Sequence, residues 1–234
     1  MNCGILLAGG KGKRMNSQIP KQYLSLRGYP VLYYSLKAFE ESDIDEIIIV
    51  ASKDYMDYIK NDIVLKYEFK KVKAYALSGK ERMDSVKNGL LEVENCEYVL
   101  IHDGARPMVS PKLINDCLKE VKKYKAIVTG TPLKDTIRWI DDKDFGGATL
   151  DRSRLRNIQT PQGFLFEEIK AAHLKLQENR AQNEDITDDA MVLERFLGRK
   201  SVIIMGDYKN IKITTAEDLI IAGAFLDEKE KNNS

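Results

Sequence analysis

The stretch GILLAGGKGKRM, Gly4 to Met15, joins four apolar or small residues (Ile5, Leu6, Leu7 and Ala8) to three glycines interleaved with three cations. An apolar run this short suits a buried strand. The glycines behind it let the backbone turn sharply and bring its N–H groups close to a ligand. Lys11, Lys13 and Arg14 on that loop point to an anion, and glycine loops after a first strand cradle phosphate. A solvated basic turn is the plainer alternative, but three glycines directly behind a strand make a triphosphate the better reading. The loop matches neither common template. Lys13 follows Gly12, but Arg14 stands where a P-loop needs Ser or Thr, and the leading glycine is missing. Gly10 and Gly12 fit a dinucleotide fingerprint, but Met15 occupies its third glycine position.

Outward from this loop, short apolar runs alternate with helical patterns. Strands are expected at Gly4 to Leu7, EIIIVA (Glu46 to Ala51), VKAYAL (Val72 to Leu77), YVLIHD (Tyr98 to Asp103) and AIVTGTPL (Ala126 to Leu133). Between them VLYYSLKAFEES, DYMDYIKNDIVLKY, ERMDSVKNGLLEV and SPKLINDCLKEVKKY repeat apolar residues every three or four positions, which predicts helices. Ser110 and Pro111 make a good start for the last of these. The alternation means βαβ units: an α/β protein with a Rossmann-like, mostly parallel sheet and helices on both faces. Ligands in such sheets sit at the carboxyl ends of strands, where the glycine loop and the segment after YVLIHD both lie.

The pattern breaks at Arg138 to Asn157, which is polar and aperiodic and holds Gly146-Gly147, a hairpin signal. It reads as a projecting β-arm. Helices are expected at LFEEIKAAHLKLQENR and TDDAMVLERFLG, strands at SVIIMGD and NIKIT (Asn210 to Thr214), and a final helix at TAEDLIIAGAFLDEK, capped by Thr215 and Asp218. DEKEKNNS, Asp227 to Ser234, reads as a frayed, charged end. The simplest account is one domain over residues 1–234 with 138–157 as an arm.

The 234 residues are 43% hydrophobic and 31% charged, with a net charge of +1 from 37 cations and 36 anions. No global field favours nucleic acid or a membrane surface, so neither is expected as a partner. Cys3, Cys96 and Cys117 form no CxxC pair, no signal peptide is visible, and no apolar run approaches the ~18 residues of a membrane span. The expected location is cytoplasmic.

Several further stretches carry candidate chemistry. Lys21 in IPKQYL, with Arg14, could bracket a phosphoryl group. SGKERMDSVKNGL opens a helix with Arg82, Asp84 and Ser85; Asp84 could complement the helix dipole and Ser85 could contact a base. In YVLIHDGARP a buried strand ends in charge at Asp103 and Arg106. His102 reads best as a satisfied core histidine, and Asp103 as a group for a ribose, a metal or the acceptor substrate. Arg152, Arg154 and Arg156 lie on an extended polar segment, and TPQGF holds Thr160 and Gln162 in turn-like chemistry. Thr187 in ITDDA reads first as an N-cap. Lys212 sits in an apolar run, which is costly unless its ammonium meets a partner; a substrate phosphate would serve. Nothing suggests a covalent nucleophile, and no residue set is assigned as a metal ligand. Arg, Lys, Asp, Ser and Thr suit phosphoryl or nucleotidyl transfer, where catalysis is positioning plus charge stabilisation.

LAGGKGKRM, PKQYL, GKERMDSV, HDGARP, KDTI, the DRSRLRNIQTPQGF segment, TDDA and NIKIT occur in this order over nearly the whole chain. Together they resemble the 2-C-methyl-D-erythritol 4-phosphate cytidylyltransferases, CTP-using enzymes of the non-mevalonate isoprenoid pathway. A second branch, the ribitol-5-phosphate cytidylyltransferases of wall-polymer synthesis, shares the glycine loop and TPQ, but HDGARP favours the first. The resemblance implies a nucleotidyltransferase fold of the nucleotide-diphospho-sugar transferase type. It implies that Ala8, Gly9, Gly10, Lys11, Gly12 and Lys13 cradle the triphosphate, with Arg14, Lys21 and Lys212 catalytic. Gly79, Arg82 and Ser85 would lie by cytosine, and Asp103 and Ala105 by the ribose. Asp103, Arg106, Thr160, Thr187 and Lys212 would serve the acceptor, a small sugar-alcohol phosphate, and Thr136 and Arg152 would reach the acceptor site of a neighbouring subunit in a homodimer with interlocked arms. Mg²⁺ would be held mainly by CTP phosphates.

Overall fold

In the computed structural model, which describes residues 1–10, 19–179 and 185–233, Asn2–Leu7 forms β1, an inner strand of a seven-stranded sheet. Two short strands, β2 (Ser25–Leu26) and β3 (Tyr29–Pro30), lead into α1 (Val31–Glu40) and β4 (Glu46–Ala51). Then come α2 (Met56–Tyr58), continued as a π-helix over Ile59–Leu65, β5 (Val72–Leu77), α3 (Arg82–Leu91) and β6 (Tyr98–Asp103). α4 (Pro111–Tyr124) and β7 (Ala126–Pro132) complete the regular alternation. Beyond it lie β8 (Arg138–Ile140), β9 (Gly146–Thr149), β10 (Arg156–Leu165), α5 (Phe166–Glu178), α6 (Asp189–Leu197), β11 (Val202–Met205) and α7 (Ala216–Asn233).

The sheet order is β11-β7-β10-β6-β1-β4-β5. β1 runs parallel to β4 and β6, β4 to β5, and β11 to β7; β10 is antiparallel to both its neighbours. Successive strand side chains point to opposite faces, and both faces are covered. Leu6, Ile47, Ile49 and Leu100 pack with α1 and α4, while Ile5, Ile48, Val50 and Val99 pack with α3, α5 and α6. Each fully buried branched side chain contributes ~1.5–3 kcal/mol, so continuous apolar strands force helices onto both sides. All six residues of β6 are buried. A strand so enclosed delivers its last residue, Asp103, to one fixed place.

The predicted start of α4 is present: Ser110 accepts a hydrogen bond from Leu113 N at 3.2 Å, with proline at the first helical position. The cap on α7 is present too, with Thr215 N donating to Asp218 Oδ2 at 2.9 Å. Five local expectations are corrected. Asn210 to Thr214 is not a strand; it lacks a neighbouring strand edge and is fixed by contacts to the loop after β6, including Ile213 N to Ala105 O at 2.8 Å. TPQGF is not turn-like but lies inside β10, between β6 and β7. In the arm, β8 and β9 do form a hairpin, but Gly146 and Gly147 belong to its second strand; the turn is built by Asp141, whose carboxylate accepts from Lys143 N and Phe145 N, both at 2.9 Å. The N-cap of α6 is Asp188, accepting from Met191 N at 2.9 Å, whereas Thr187 is exposed. The charged end is helical to Asn233, with Asp227 paired to Arg27 at 2.6 Å and Glu228 to Lys209 at 2.7 Å.

Candidate active site

A cavity of about 880 Å³ opens at the carboxyl ends of β1, β4, β5 and β6. Gly9, Gly10 and Lys21 enter it from the first loop, Gly79, Arg82 and Ser85 from the start of α3, and Asp103, Ala105 and Lys212 from the end of β6 and the segment folded against it. Lys53 and Lys80 also line it, so five lysine and arginine side chains face two carboxylates, Glu81 and Asp103. A chain with almost no net charge has concentrated positive charge at one site, which attracts and holds a polyanion.

Local chemistry shapes each side. A Cβ on Gly9 would lie 2.1 Å from the Cβ of Ser78 and one on Gly79 2.0 Å from that of Asp84, so only glycine permits the two loops to approach so closely. Asp84 accepts from Glu81 N at 3.0 Å in a reciprocal capping box, which is its role here. Ser85 Oγ accepts from Gly79 N at 3.0 Å and donates to Glu81 O at 3.1 Å, tying the loop to the helix.

The charged centre is Asp103. Its Oδ1 accepts from Arg82 Nε at 3.2 Å and its Oδ2 from Lys212 Nζ at 2.8 Å. Arg106 Nε stands 3.9 Å off, too far for a hydrogen bond, and its Nη1 donates to Asn210 O at 2.9 Å. Arg82 Nη2 donates to Asp189 Oδ2 at 2.8 Å, and the other oxygen of Asp189 meets His173 Nε2 at 3.2 Å. Burial alone would raise the Asp103 carboxyl, but Arg82, Lys212 and Arg106 outweigh it and hold the group well below the ordinary carboxylate range. Burial would likewise raise Asp189, and Arg82 and His173 reverse the sign. Burial works against the Arg82 cation, but Asp189 and Asp103 keep it charged. Both carboxylates are therefore ionised at neutral pH, and the cluster is a fixed set of charges.

Behind Asp103, its backbone N–H donates to Thr160 Oγ1 at 3.1 Å, and the same hydroxyl lies 3.0 Å from His102 Nδ1. Asn210 Nδ2 donates to Thr160 O at 2.8 Å. His102 is thus the satisfied core histidine expected; burial holds its imidazole down to about 3, against the pull of the Asp103 charge.

The cavity brings together nine of the expected residues. Ala8 is buried at its edge, Arg106 and Thr160 stand behind Asp103, and Thr136, Arg152 and Thr187 are exposed away from its lining. Arg152 donates to Lys134 O within its own chain. Lys11, Gly12, Lys13 and Arg14 lie outside the described residues. Lys212 meets a protein carboxylate where sequence reasoning expected a substrate phosphate. Asp189 and His173 went unrecognised. Asp189 follows Thr187 in ITDDA, and the sequence signal for its burial is the apolar face of the helix it begins.

Residues 3–228 match the family model described as 2-C-methyl-D-erythritol 4-phosphate cytidylyltransferase. A protein of that name from Lachnospira eligens is 49% identical over 227 residues, covering 97% of this chain and 99% of its own. One from Clostridium beijerinckii is 48% identical, covering 97% and 98%. A crystal structure of 4-diphosphocytidyl-2C-methyl-D-erythritol synthase from Anaerococcus prevotii superposes with a TM-score of 0.83 at 37% identity, covering 97% of this chain and 96% of that one.

Proposed function

This chain belongs to the 2-C-methyl-D-erythritol 4-phosphate cytidylyltransferase family, and from that premise we propose how its own residues carry the reaction. It is a nucleotidyltransferase that moves the cytidylyl group of CTP onto 2-C-methyl-D-erythritol 4-phosphate, giving 4-diphosphocytidyl-2-C-methyl-D-erythritol and pyrophosphate. An oxygen of the acceptor's phosphate attacks the α-phosphorus of CTP, and the bond from that phosphorus to the bridging oxygen of the β-phosphate breaks. A phosphate that is largely dianionic at neutral pH is already a nucleophile, so no general base is required. The protein's task is to align two anions and to spread the charge that builds between them.

The observation that carries this reading is Asp103 clamped between Arg82 and Lys212 in the wall of a cation-rich cavity. On the nucleotide side, the loop from Ala8 to Lys13 takes the triphosphate, Gly79, Arg82 and Ser85 the cytosine, and Asp103 and Ala105 the ribose. Arg14 and Lys21 stabilise charge on the α-phosphate. On the acceptor side Lys212, held by Asp103 and still one-third exposed, meets the acceptor's phosphate, with Arg106 and Thr160 fixing Asp103 and Thr187 reaching the acceptor itself.

Mg²⁺ would be held mainly by the phosphates of CTP and would supply charge neutralisation to the triphosphate. Asp103 is already engaged by Arg82 and Lys212, which suits an ion held mainly by phosphate oxygens and water. The arm exposes Trp139, Ile140 and Phe145 at 65%, 62% and 70%. Apolar groups so exposed on a hairpin favour a homodimer in which the arms interlock, carrying Thr136 and Arg152 to the partner's acceptor site. Three free cysteines fit a reducing, cytoplasmic setting.

The test is pyrophosphate release from CTP and Mg²⁺ with methylerythritol 4-phosphate and ribitol 5-phosphate in parallel. Release with the first alone is expected. Release with the second alone would move the chain to pentitol chemistry.

A further inference from the structure

We infer that Gln22 and Tyr23 are positioning residues that hold the first residues of the glycine loop, Ala8 to Gly10, for phosphate binding and set their spacing from Lys21; the inference rests on the reading that this loop binds CTP. Lys21–Tyr23 is a single 3₁₀ turn. Tyr23 Oη donates to the carbonyl of Ala8 at 2.7 Å, and Gln22 Nε2 donates to the carbonyl of Gly10 at 3.0 Å. Both side chains are almost fully buried, at 6% and 2% exposure. Neither has freedom to leave: the Tyr23 ring stacks on Tyr55 with centroids 4.4 Å apart and meets the edge of Tyr58 at 5.9 Å, and Gln22 forms part of the cavity wall.

A trans peptide carries its C=O and N–H on opposite edges. Fixing the carbonyl of Ala8 on a protein donor therefore turns the N–H of Gly9, which lines the cavity, to the other edge, where an anion can meet it, and the carbonyl of Gly10 is held by a second donor. Glycines alone would leave the loop free to turn either way, since their φ/ψ restrictions are weakest. Ala8 is gripped from its other end too, its N–H donating to Val50 O at 2.7 Å. The same short turn thus orients two loop carbonyls and presents Lys21, coupling the loop that takes the triphosphate to the cation assigned to the α-phosphate.

The test uses Tyr23→Phe, which keeps the stacked ring and removes the hydroxyl, and Gln22→Met, which keeps volume and removes the donor. CTP binding in the presence of Mg²⁺ is read by calorimetry, the acceptor KM by pyrophosphate release, and folding by melting curves. Loss of one such bond is expected to raise the Kd for CTP about tenfold in either variant, with the acceptor KM nearly unchanged and the melting temperature lowered by no more than a few degrees. Folded variants that bind CTP as wild type does would overturn the clamp. So would equal weakening of both substrates together with a lowered melting temperature, which describes general loosening. Wild-type protein that binds CTP but releases no pyrophosphate with methylerythritol phosphate would count against the acceptor reading alone, because the clamp is read from CTP binding.

Discussion

The chain up to Pro132 and the chain beyond it are built on different terms. The first part alternates strand and helix, pairs β1, β4, β5 and β6 in parallel and places the start of the glycine loop, α3 and Asp103 at neighbouring strand ends. The second part sends a hairpin off the sheet, inserts β10 antiparallel between β6 and β7, adds β11 at an edge, and returns through residues 207–214 without regular structure. Yet the second part supplies Asp189 and Lys212, the partners of Arg82 and Asp103. On the proposed roles, local βα units make the nucleotide side of the site, and long-range packing onto them brings Lys212 to the acceptor side. The two halves are joined through buried charge at Arg82 and Asp189, so damage to that contact should be felt by both.

The largest expected effect tests this joint. Asp189→Ala would leave Arg82 and His173 without their buried carboxylate. Breaking a buried pair from one side costs ~3–5 kcal/mol, so the melting temperature should fall by roughly 10 °C in a chain of this size. A melting curve matching wild type would break the comparison, because the two halves would then not depend on this contact. Next come the cations of the first part. Arg14→Ala and Lys21→Ala should each lower turnover at least about a hundredfold, ~3 kcal/mol of lost charge stabilisation; near-normal turnover in either would remove it from the mechanism.

The pH dependence of stability sharpens the same contrast on a smaller scale. His102 has a folded pKa of about 3 against an ordinary 6.5. Between those values the unfolded chain binds a proton that the folded chain refuses, so stability falls as pH falls, by up to ~1.4 kcal/mol per pH unit from this one group. Asp103 and Asp189 have lowered folded pKa values; the stability they add is present above the ordinary carboxylate range and is lost below it. Denaturant melts from pH 7 to pH 4 should show this slope, and His102→Gln should make it shallower. The smallest effect on folding belongs to the arm: Trp139→Asp or Phe145→Asp should change the stability of one chain by no more than ~0.5 kcal/mol while shifting sedimentation from dimer to monomer.

The same division explains what could be read from the sequence. β1, β4, β5 and β6 and the helices between them announce themselves through local periodicity, and Ser110-Pro111 through capping chemistry that needs only its neighbours. TPQGF and NIKIT do not. Thr160 and Gln162 carry turn-forming residue types, and only the flanking strands β6 and β7 make them part of a sheet. Asn210 to Thr214 alternates like a strand, and what fixes it is the loop after β6. The candidate site divides likewise. Arg82, Ser85 and Asp103 stand out by their places at helix and strand ends and Gly79 only through the resemblance, whereas the contact from Arg82 to Asp189 spans 107 positions and leaves no local mark.

The division of labour at Asp103 is tested most directly by Lys212→Met, with CTP affinity and acceptor KM measured separately. Asp103 keeps Arg82 in this variant, so the nucleotide side should stand. The account predicts an acceptor KM raised at least about tenfold, as loss of a charged hydrogen bond implies, with the Kd for CTP close to wild type. A weakened Kd for CTP with an unchanged acceptor KM would contradict it.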